Sequence, residues 1–89
     1  MEAIEHWPWE VRGNPPIETI VSGDGVSRLH FVHAPGGTVR FFVQELRRLE
    51  TMGQEYFAWY SEALSGLYPD LETAKQDARR MVRWFNPAS

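Results

Sequence analysis

The fold is decided by residues 56–85, YFAWYSEALSGLYPDLETAKQDARRMVRWF, in which an aromatic run leads into an amphipathic segment. Aromatic side chains suit a pleated sheet, so the run over residues 55–63 predicts a strand. Helical spacing would also align Tyr56, Tyr60 and Leu64, and periodicity alone does not separate the two for so short a run. The strand is preferred because Gly66 and Pro69 break the chain soon afterwards.

The segment that follows has the pattern of an amphipathic helix. Its apolar residues recur at spacings of three and four and form one stripe: Leu71, Ala74, Ala78, Met81, Val82 and Phe85. Asp70 is the natural N-cap, because its carboxylate can accept hydrogen bonds from the free amides of the first turn. Arginines near the other end suit the negative pole of the helix dipole. Asn86 and Pro87 then stop the helix, which is predicted over residues 71–85.

The corner between these two elements carries a glycine, an aromatic two residues on, a glutamate four after that and an alanine two later: Gly66, Tyr68, Glu72 and Ala74. This pattern, over about residues 55–78, resembles the strand-to-helix corner of two kinds of DNA-binding domain. They are the arm-binding amino-terminal domain of tyrosine recombinases and the plant ethylene-response-factor domain. The resemblance implies a three-stranded sheet packed on one helix, with nucleic acid bound by the open face of the sheet.

Length and composition predict one small domain over residues 1–89, with an irregular arm over residues 1–16. A chain of 89 residues can bury about 60 to 65 per cent of its unfolded surface and fold without disulfides or metals. The absence of cysteine excludes disulfides and thiolate chemistry and fits a reducing compartment. No apolar run approaches the roughly 20 residues that span a bilayer, and the start lacks the features of a signal peptide. We therefore expect a cytoplasmic protein that does not bind membranes.

The net charge of −3 is unevenly distributed. Residues 1–27 carry −4, residues 28–53 carry +2 and the remainder carries −1. An acidic chain is poorly attracted to polyanions, whose binding depends on a concentrated basic surface. Only the middle third, with Arg28, Arg40, Arg47 and Arg48, could supply such a surface.

Two tryptophans flank a proline in the N-terminal arm. Pro8 interrupts any helix there, and the segment around it could form a short edge strand. Trp7 and Trp9 either cover an otherwise bare part of the core or anchor a partner from an exposed position.

Turn residues divide the middle of the chain into a β-meander. Strands are predicted over residues 17–21, 26–33, 38–50 and 54–63, separated by turns rich in glycine. The element over residues 38–50 also has a helical stripe, but it directly follows a hairpin-type turn, which favours a strand. The predicted fold class is therefore α+β, an antiparallel meander of three to four strands packed on one C-terminal helix. A helix over residues 38–50 remains the alternative.

Alternation along the predicted strands assigns their two faces. The face against the helix would hold Leu29, Phe31, Val39, Phe41, Val43, Phe57 and Trp59. The other face would hold Arg28, His30, Arg40, Phe42, Gln44, Arg48, Tyr56 and Tyr60. One helix covers only one side of a sheet, so this second face should decide function. It could stack on bases, bind an acidic protein, pair with a second copy or lie beneath the tryptophan-bearing arm.

The sequence contains no recognisable catalytic or metal-binding pattern. His30 and His33 lie three apart in a strand, so they point to opposite faces and cannot chelate one ion. No serine lies in a nucleophile-elbow context, and the glycine turns lack the lysine and hydroxyl residue of a phosphate-binding loop. We expect no enzyme activity, no metal and no cofactor.

Two classes of function remain. The first is a small non-catalytic protein-interaction module, an adaptor, subunit or inhibitor, of which a mobile-element inhibitor would be one form. Tryptophan, tyrosine and arginine are enriched at interface anchors, and the partner would be another protein or a second copy. The alternative is a nucleic-acid-binding domain, in which arginines touch phosphates and tyrosines stack on bases. The residues predicted to bind are Arg28, Arg40, Phe42, Gln44, Arg48, Tyr56 and Tyr60 on the sheet, with Trp7 and Trp9 on the arm.

Overall fold

The computed structural model of the chain describes residues 3–5, 7, 15–62 and 64–85. Within these ranges lie β1 (Ile4–Glu5), β2 (Glu18–Val21), β3 (Ser27–Ala34), β4 (Thr38–Thr51), β5 (Gln54–Ser61) and α1 (Leu71–Met81). Short 3-10 turns follow β3, at Pro35–Gly37, and α1, at Arg83–Phe85. No helix in this part of the chain combines the length and the apolar character needed to cross a bilayer.

All five described strands belong to one mixed sheet, in the order β1-β5-β4-β3-β2. Strands β2 to β5 form an antiparallel meander, and α1 packs on one side of it, so the predicted α+β class is confirmed. The all-antiparallel sheet of three to four strands is corrected, because β1 pairs in parallel with β5, placing Ile4 beside Ala58. The sequence left a short edge strand open in the N-terminal arm, but a strand of two residues has no alternation that would reveal its position or its parallel pairing.

Residues 38–51 form a strand and not the alternative helix, and the turn that follows explains why. Met52 and Gly53 both have positive φ, 52° and 78°, as a type I′ turn requires, and the twist of that turn matches two paired strands. Thr51 pairs with Gln54 across the turn, and the pairing continues back along both arms of the hairpin. A helix here would lose those backbone hydrogen bonds.

The register of β4 against β5 overturns the predicted faces of the aromatic run. Trp59 lies opposite Leu46, on the outer face, which is the side of the sheet away from α1. Phe57 shares that face, whereas Tyr56 and Tyr60 lie on the helix side. The prediction for these four aromatics was therefore wrong. Alternation shows which residues of a strand share a face, but the side that the strand presents depends on its pairing register.

The main core lies between α1 and the nearer half of the sheet. Its buried residues are Leu29, Phe31, Val39, Phe41, Ala74, Ala78 and Val82, with Val43 packed against them. The predicted core positions of β3 and β4 are thus confirmed. The ring of Tyr68 stacks on Phe41, with 5.6 Å between ring centroids, so this aromatic closes the corner between β5 and α1.

The helix begins where the sequence predicts and ends earlier. Asp70 is its N-cap, because the Asp70 Oδ1 accepts a hydrogen bond of 2.7 Å from the Thr73 amide. The last helical residue is Met81, and Val82 already has extended backbone angles. This break keeps Val82 buried and lets Phe85 pack against the core. Met81, which the sequence placed on the apolar stripe, is exposed.

Replacing Asp70 with alanine should lower the urea midpoint of unfolding, because the first turn of α1 loses its capping acceptor. The hydrogen bond from the Thr73 amide lowers the pKa of the Asp70 carboxyl below its ordinary value of 3.8. The carboxylate therefore contributes its full share of folding stability above pH 3.8, the ordinary pKa. This stabilisation is lost as the pH falls through the lower pKa of the folded state. Asp70→Asn keeps an acceptor and should stay close to the parent at about pH 7. An alanine variant with an unchanged midpoint would show that the cap does not stabilise the helix.

Candidate interaction site

A row of hydrogen-bonded polar side chains, buried at His30 and Gln44, crosses the outer face of the sheet. The Thr19 hydroxyl lies 2.8 Å from Nδ1 of His30, and the His30 Nε2 lies 2.7 Å from Oε1 of Gln44. The Gln44 amide nitrogen then donates to the Ser61 hydroxyl at 3.3 Å. Because each residue comes from a different strand, from β2 through to β5, this polar row ties four strands together.

The polar row selects the tautomer of the neutral His30 ring. Since the Gln44 nitrogen donates to Ser61, its oxygen is left to accept, so the His30 Nε2 carries the hydrogen, and in the neutral ring Nδ1 accepts from Thr19. Burial lowers the pKa of His30 below its ordinary value of 6.5, while the hydrogen bond to Gln44 acts in the opposite direction. His30 is therefore a neutral structural residue with both ring nitrogens occupied.

Trp7 of the N-terminal arm covers the polar row. Its ring centroid lies 4.8 Å from that of His30 and 5.8 Å from that of Phe42. Phe42 and Gln44, both predicted to bind a partner, are only 1% and 0% exposed. Neither side chain offers a surface to a partner in this conformation. The sequence left four roles open for the outer face. At Phe42 and His30 the structure shows one of them, because this part of the face lies beneath Trp7 of the arm.

Arg28 extends across the outer face to the arm. Its guanidinium lies 3.7 Å from the centre of the Trp59 ring and its Nη2 lies 2.5 Å from a carboxylate oxygen of Glu5 in β1. Its Nε is buried, with no hydrogen-bond partner among the described residues. Arg28 thus fastens β1 to the sheet by a cation–π contact and an ion pair. The prediction that Trp59 packs between sheet and helix is wrong, because its ring lies under this guanidinium.

The remaining predicted binding residues do not form one surface. Arg40 donates two hydrogen bonds, of 3.2 and 3.1 Å, to the Ser65 carbonyl, so it holds the segment after β5. Arg48 pairs with Glu55 at 2.5 Å, across the hairpin. Tyr56 and Tyr60 lie on the other side of the sheet, as described above. Trp9 lies outside the described residues.

A different surface combines the exposed Arg47 with two half-buried tyrosines, Tyr56 and Tyr60. Val43 is the last described residue of β4 that packs in the core under α1. The strand itself continues to Thr51. The helix side of β4 and β5 beyond this point is named here the distal hairpin face, formed by Glu45, Arg47, Leu49, Tyr56 and Tyr60.

Two contacts organise the distal hairpin face. The Arg47 guanidinium lies over the Tyr60 ring, 5.4 Å from the ring centre. Its Nη2 also lies 3.5 Å from a carboxylate oxygen of Glu45. Ile4 continues the same side onto β1 and is 52% exposed. Sequence reasoning missed Arg47 because it assigned the tyrosines to the opposite face. The available signal was the two-residue turn, which sets the pairing register and so brings Arg47 and Tyr60 together.

Other parts of the described chain offer little chemistry. In residues 3–5, 7, 15–62 and 64–85, no group of three or more histidine, aspartate or glutamate side chains could hold a metal ion. One open depression of about 210 Å³ lies between the end of β2 and Trp84, and another of about 390 Å³ lies on α1 near Asp77 and Arg80. In the second, the Tyr68 hydroxyl donates to Asp77, which also pairs with Arg80.

Comparison with protein-family models, with curated proteins and with solved structures finds no match to this chain.

His30→Gln should flatten the pH dependence of stability. Because burial lowers the folded pKa of His30, the unfolded chain takes up a proton first as the pH falls through 6.5. The free energy of unfolding of the parent should therefore decline below that pH and level off only below the folded pKa. Glutamine does not titrate, so the decline should be absent in the variant. Urea denaturation between about pH 7 and about pH 5 measures both slopes.

His33→Gln is the matched control, because His33 lies on the same strand and is exposed. It should keep the decline of the parent. A parent protein whose unfolding free energy stays constant over this range would contradict the neutral, buried state of His30.

Proposed function

We propose that this chain is a non-catalytic protein-interaction module, an adaptor, subunit or inhibitor, that binds its partner through the distal hairpin face. One observation carries the proposal: half of the β4–β5 hairpin extends past the core under α1 and presents Arg47 with two tyrosines. Arginine and tyrosine are the side chains most often found at the energetic centres of interfaces. Tyrosine supplies a large contact area with few rotatable bonds, so little conformational entropy is lost on binding.

The charge pattern of the face supports a protein partner over a nucleic acid. Glu45 lies beside Arg47 on this face, and the whole chain carries a net charge of −3. The arginines first expected to touch phosphates have intramolecular partners instead: Arg28 with Glu5, Arg40 with the Ser65 carbonyl, and Arg48 with Glu55. Nucleic-acid binding depends on concentrated positive charge, which this surface lacks. Nucleic-acid binding is therefore the second candidate, and the experiment below distinguishes it from protein binding.

The roles of the titratable groups support a non-catalytic protein. A general base must be able to reach a substrate proton, whereas both ring nitrogens of His30 are engaged and its ring is 2% exposed. Asp70 caps α1, and Tyr68 donates to Asp77. Each of these groups has a structural role. The absence of cysteine from the chain fits action in a reducing compartment, and we place the protein in the cytoplasm as part of this proposal.

The size of the face bears on how a partner would bind. A stable interface buries about 800 Å² on each side, which is more than five side chains supply. We therefore expect the contact to continue beyond the distal hairpin face, either over Ile4 or towards the end of the hairpin. The paired strands project past the core, so a partner can contact the hairpin from more than one side.

Arg47→Glu and Arg48→Glu form a matched pair that tests the proposal. The two residues are neighbours in β4, their side chains are 57% and 64% exposed, and each pairs with a surface carboxylate. They lie on opposite faces of the hairpin, because successive strand residues alternate. Exposed ion pairs contribute only about 0 to 1 kcal/mol to stability, so both variants should fold. Arg47→Glu should lose the partner, and Arg48→Glu should keep it.

The measurement is affinity capture of each tagged chain from the organism that encodes it, followed by mass spectrometry with and without nuclease treatment. Circular dichroism of each purified variant verifies the fold. Equal recovery of the same protein by Arg47→Glu and by the parent would remove the distal hairpin face from consideration. Recovery that disappears after nuclease treatment would favour the nucleic-acid alternative.

A further inference from the structure

The tip of the β4–β5 hairpin combines three unusual features at one residue. Met52 is 97% exposed, the highest value among the exposed large apolar side chains of the described residues. Its backbone has a φ of 52°, and it is the one residue other than glycine with positive φ in those ranges. It also lies at the end of the projection that carries the distal hairpin face.

The positive φ works against stability and the exposed side chain gains no core contact, which makes the choice of methionine informative. The left-handed region is disfavoured for residues with a Cβ, and type I′ turns prefer asparagine, aspartate or glycine at this position. Asparagine followed by glycine is the most favourable pair for such a turn, and Gly53 already supplies its second half. A side chain of this size in open solvent contributes nothing to the core. Such strain in a folded protein is a reason to look for a function at that position.

The surroundings of Met52 are acidic. Glu50 and Glu55 lie directly opposite one another, two residues from either end of the turn, on the outer face. Like charges facing each other across a strand pair are unfavourable. Arg48 neutralises Glu55, and Glu50 has no ion pair among the described residues. The tip therefore presents one apolar side chain next to uncompensated negative charge.

We propose that the hairpin tip is an anchor, in which Met52 enters an apolar pocket of a protein partner whose rim carries lysine or arginine. This inference rests on the proposed function and specifies the chemistry of the partner. Methionine suits the role because its unbranched, polarisable side chain adapts to irregular pockets. Charge complementarity selects a basic rim, since Glu50 would otherwise meet no counter-charge. The same carboxylates oppose insertion into an anionic lipid surface.

The first part of the test uses the purified protein alone. Met52→Asn relieves the backbone strain, because asparagine tolerates the left-handed region, and should raise the melting temperature. Met52→Leu keeps a Cβ and an apolar side chain, so its melting temperature should remain near that of the parent. A melting temperature of Met52→Asn at or below that of the parent would overturn the proposal, since methionine would then carry no stability cost to explain.

The second part uses the partner recovered by the parent chain, identified, expressed separately and purified, in a calorimetric titration. Met52→Asn should weaken binding by about tenfold or more, as loss of a buried anchor does. Met52→Leu should stay within about threefold of the parent, because it can fill a similar pocket. Glu50→Gln should slow association and reduce its dependence on salt, since a charge at the rim mainly affects the encounter.

The outcomes separate this inference from the function on which it rests. If Met52→Asn binds like the parent while Arg47→Glu does not, the tip anchor is overturned and the distal hairpin face stands. If the parent chain recovers no protein, both fall. Sedimentation of the chain with phosphatidylcholine vesicles, lost in Met52→Asn, would assign the tip to a membrane and overturn the protein pocket. If the purified chain self-associates and Met52→Asn abolishes this, the tip binds a second copy of the chain, and the pocket on a different protein is overturned.

Discussion

The two-residue turn at Met52 and Gly53 sets the register in which β4 and β5 pair, and the arrangement of both sheet faces depends on it. A shift of one residue would exchange every side chain of β5 between the two sides. In the register observed, Trp59 lies on the outer face, where Arg28 can cover it, and Tyr60 lies beside Arg47. The same turn thus determines how β1 is fastened to the sheet and where Arg47 meets Tyr60.

A sheet with one helix has a second face to cover, and this protein covers part of it with a buried polar layer. The hydrogen bonds of His30 and Gln44 satisfy polar atoms that would otherwise be costly to remove from water. Trp7 then supplies the apolar cover. Such a layer is specific, because each member needs its neighbours at hydrogen-bonding distance. The cover reaches the central strands, where Trp7 contacts His30 of β3 and Phe42 of β4.

The features that could be predicted from the sequence depend on local chemistry, and those that could not depend on pairing between distant segments. Asp70 as the N-cap and the succession of four strands follow from residues within a few positions of each other. The face of Trp59 depends on a register that alternation within β5 does not contain. The polar row joins four strands, and the position of Trp7 over His30 is one of several that the composition of the arm permits. Arg47 was missed for the same reason as Trp59.

The parallel pairing of β1 with β5 has a consequence for how the chain acquires its structure. The meander from β2 to β5 joins neighbours in sequence, whereas Ile4 pairs with Ala58 and needs the whole sheet between them. Contacts between distant segments form slowly, because a long loop must close before they stabilise anything. We therefore expect β1, although it precedes the other described strands in the chain, to be the last of them to dock. Until β5 has been synthesised, β1 has no strand to pair with, so the arm lacks the pairing that holds Trp7 over Phe42.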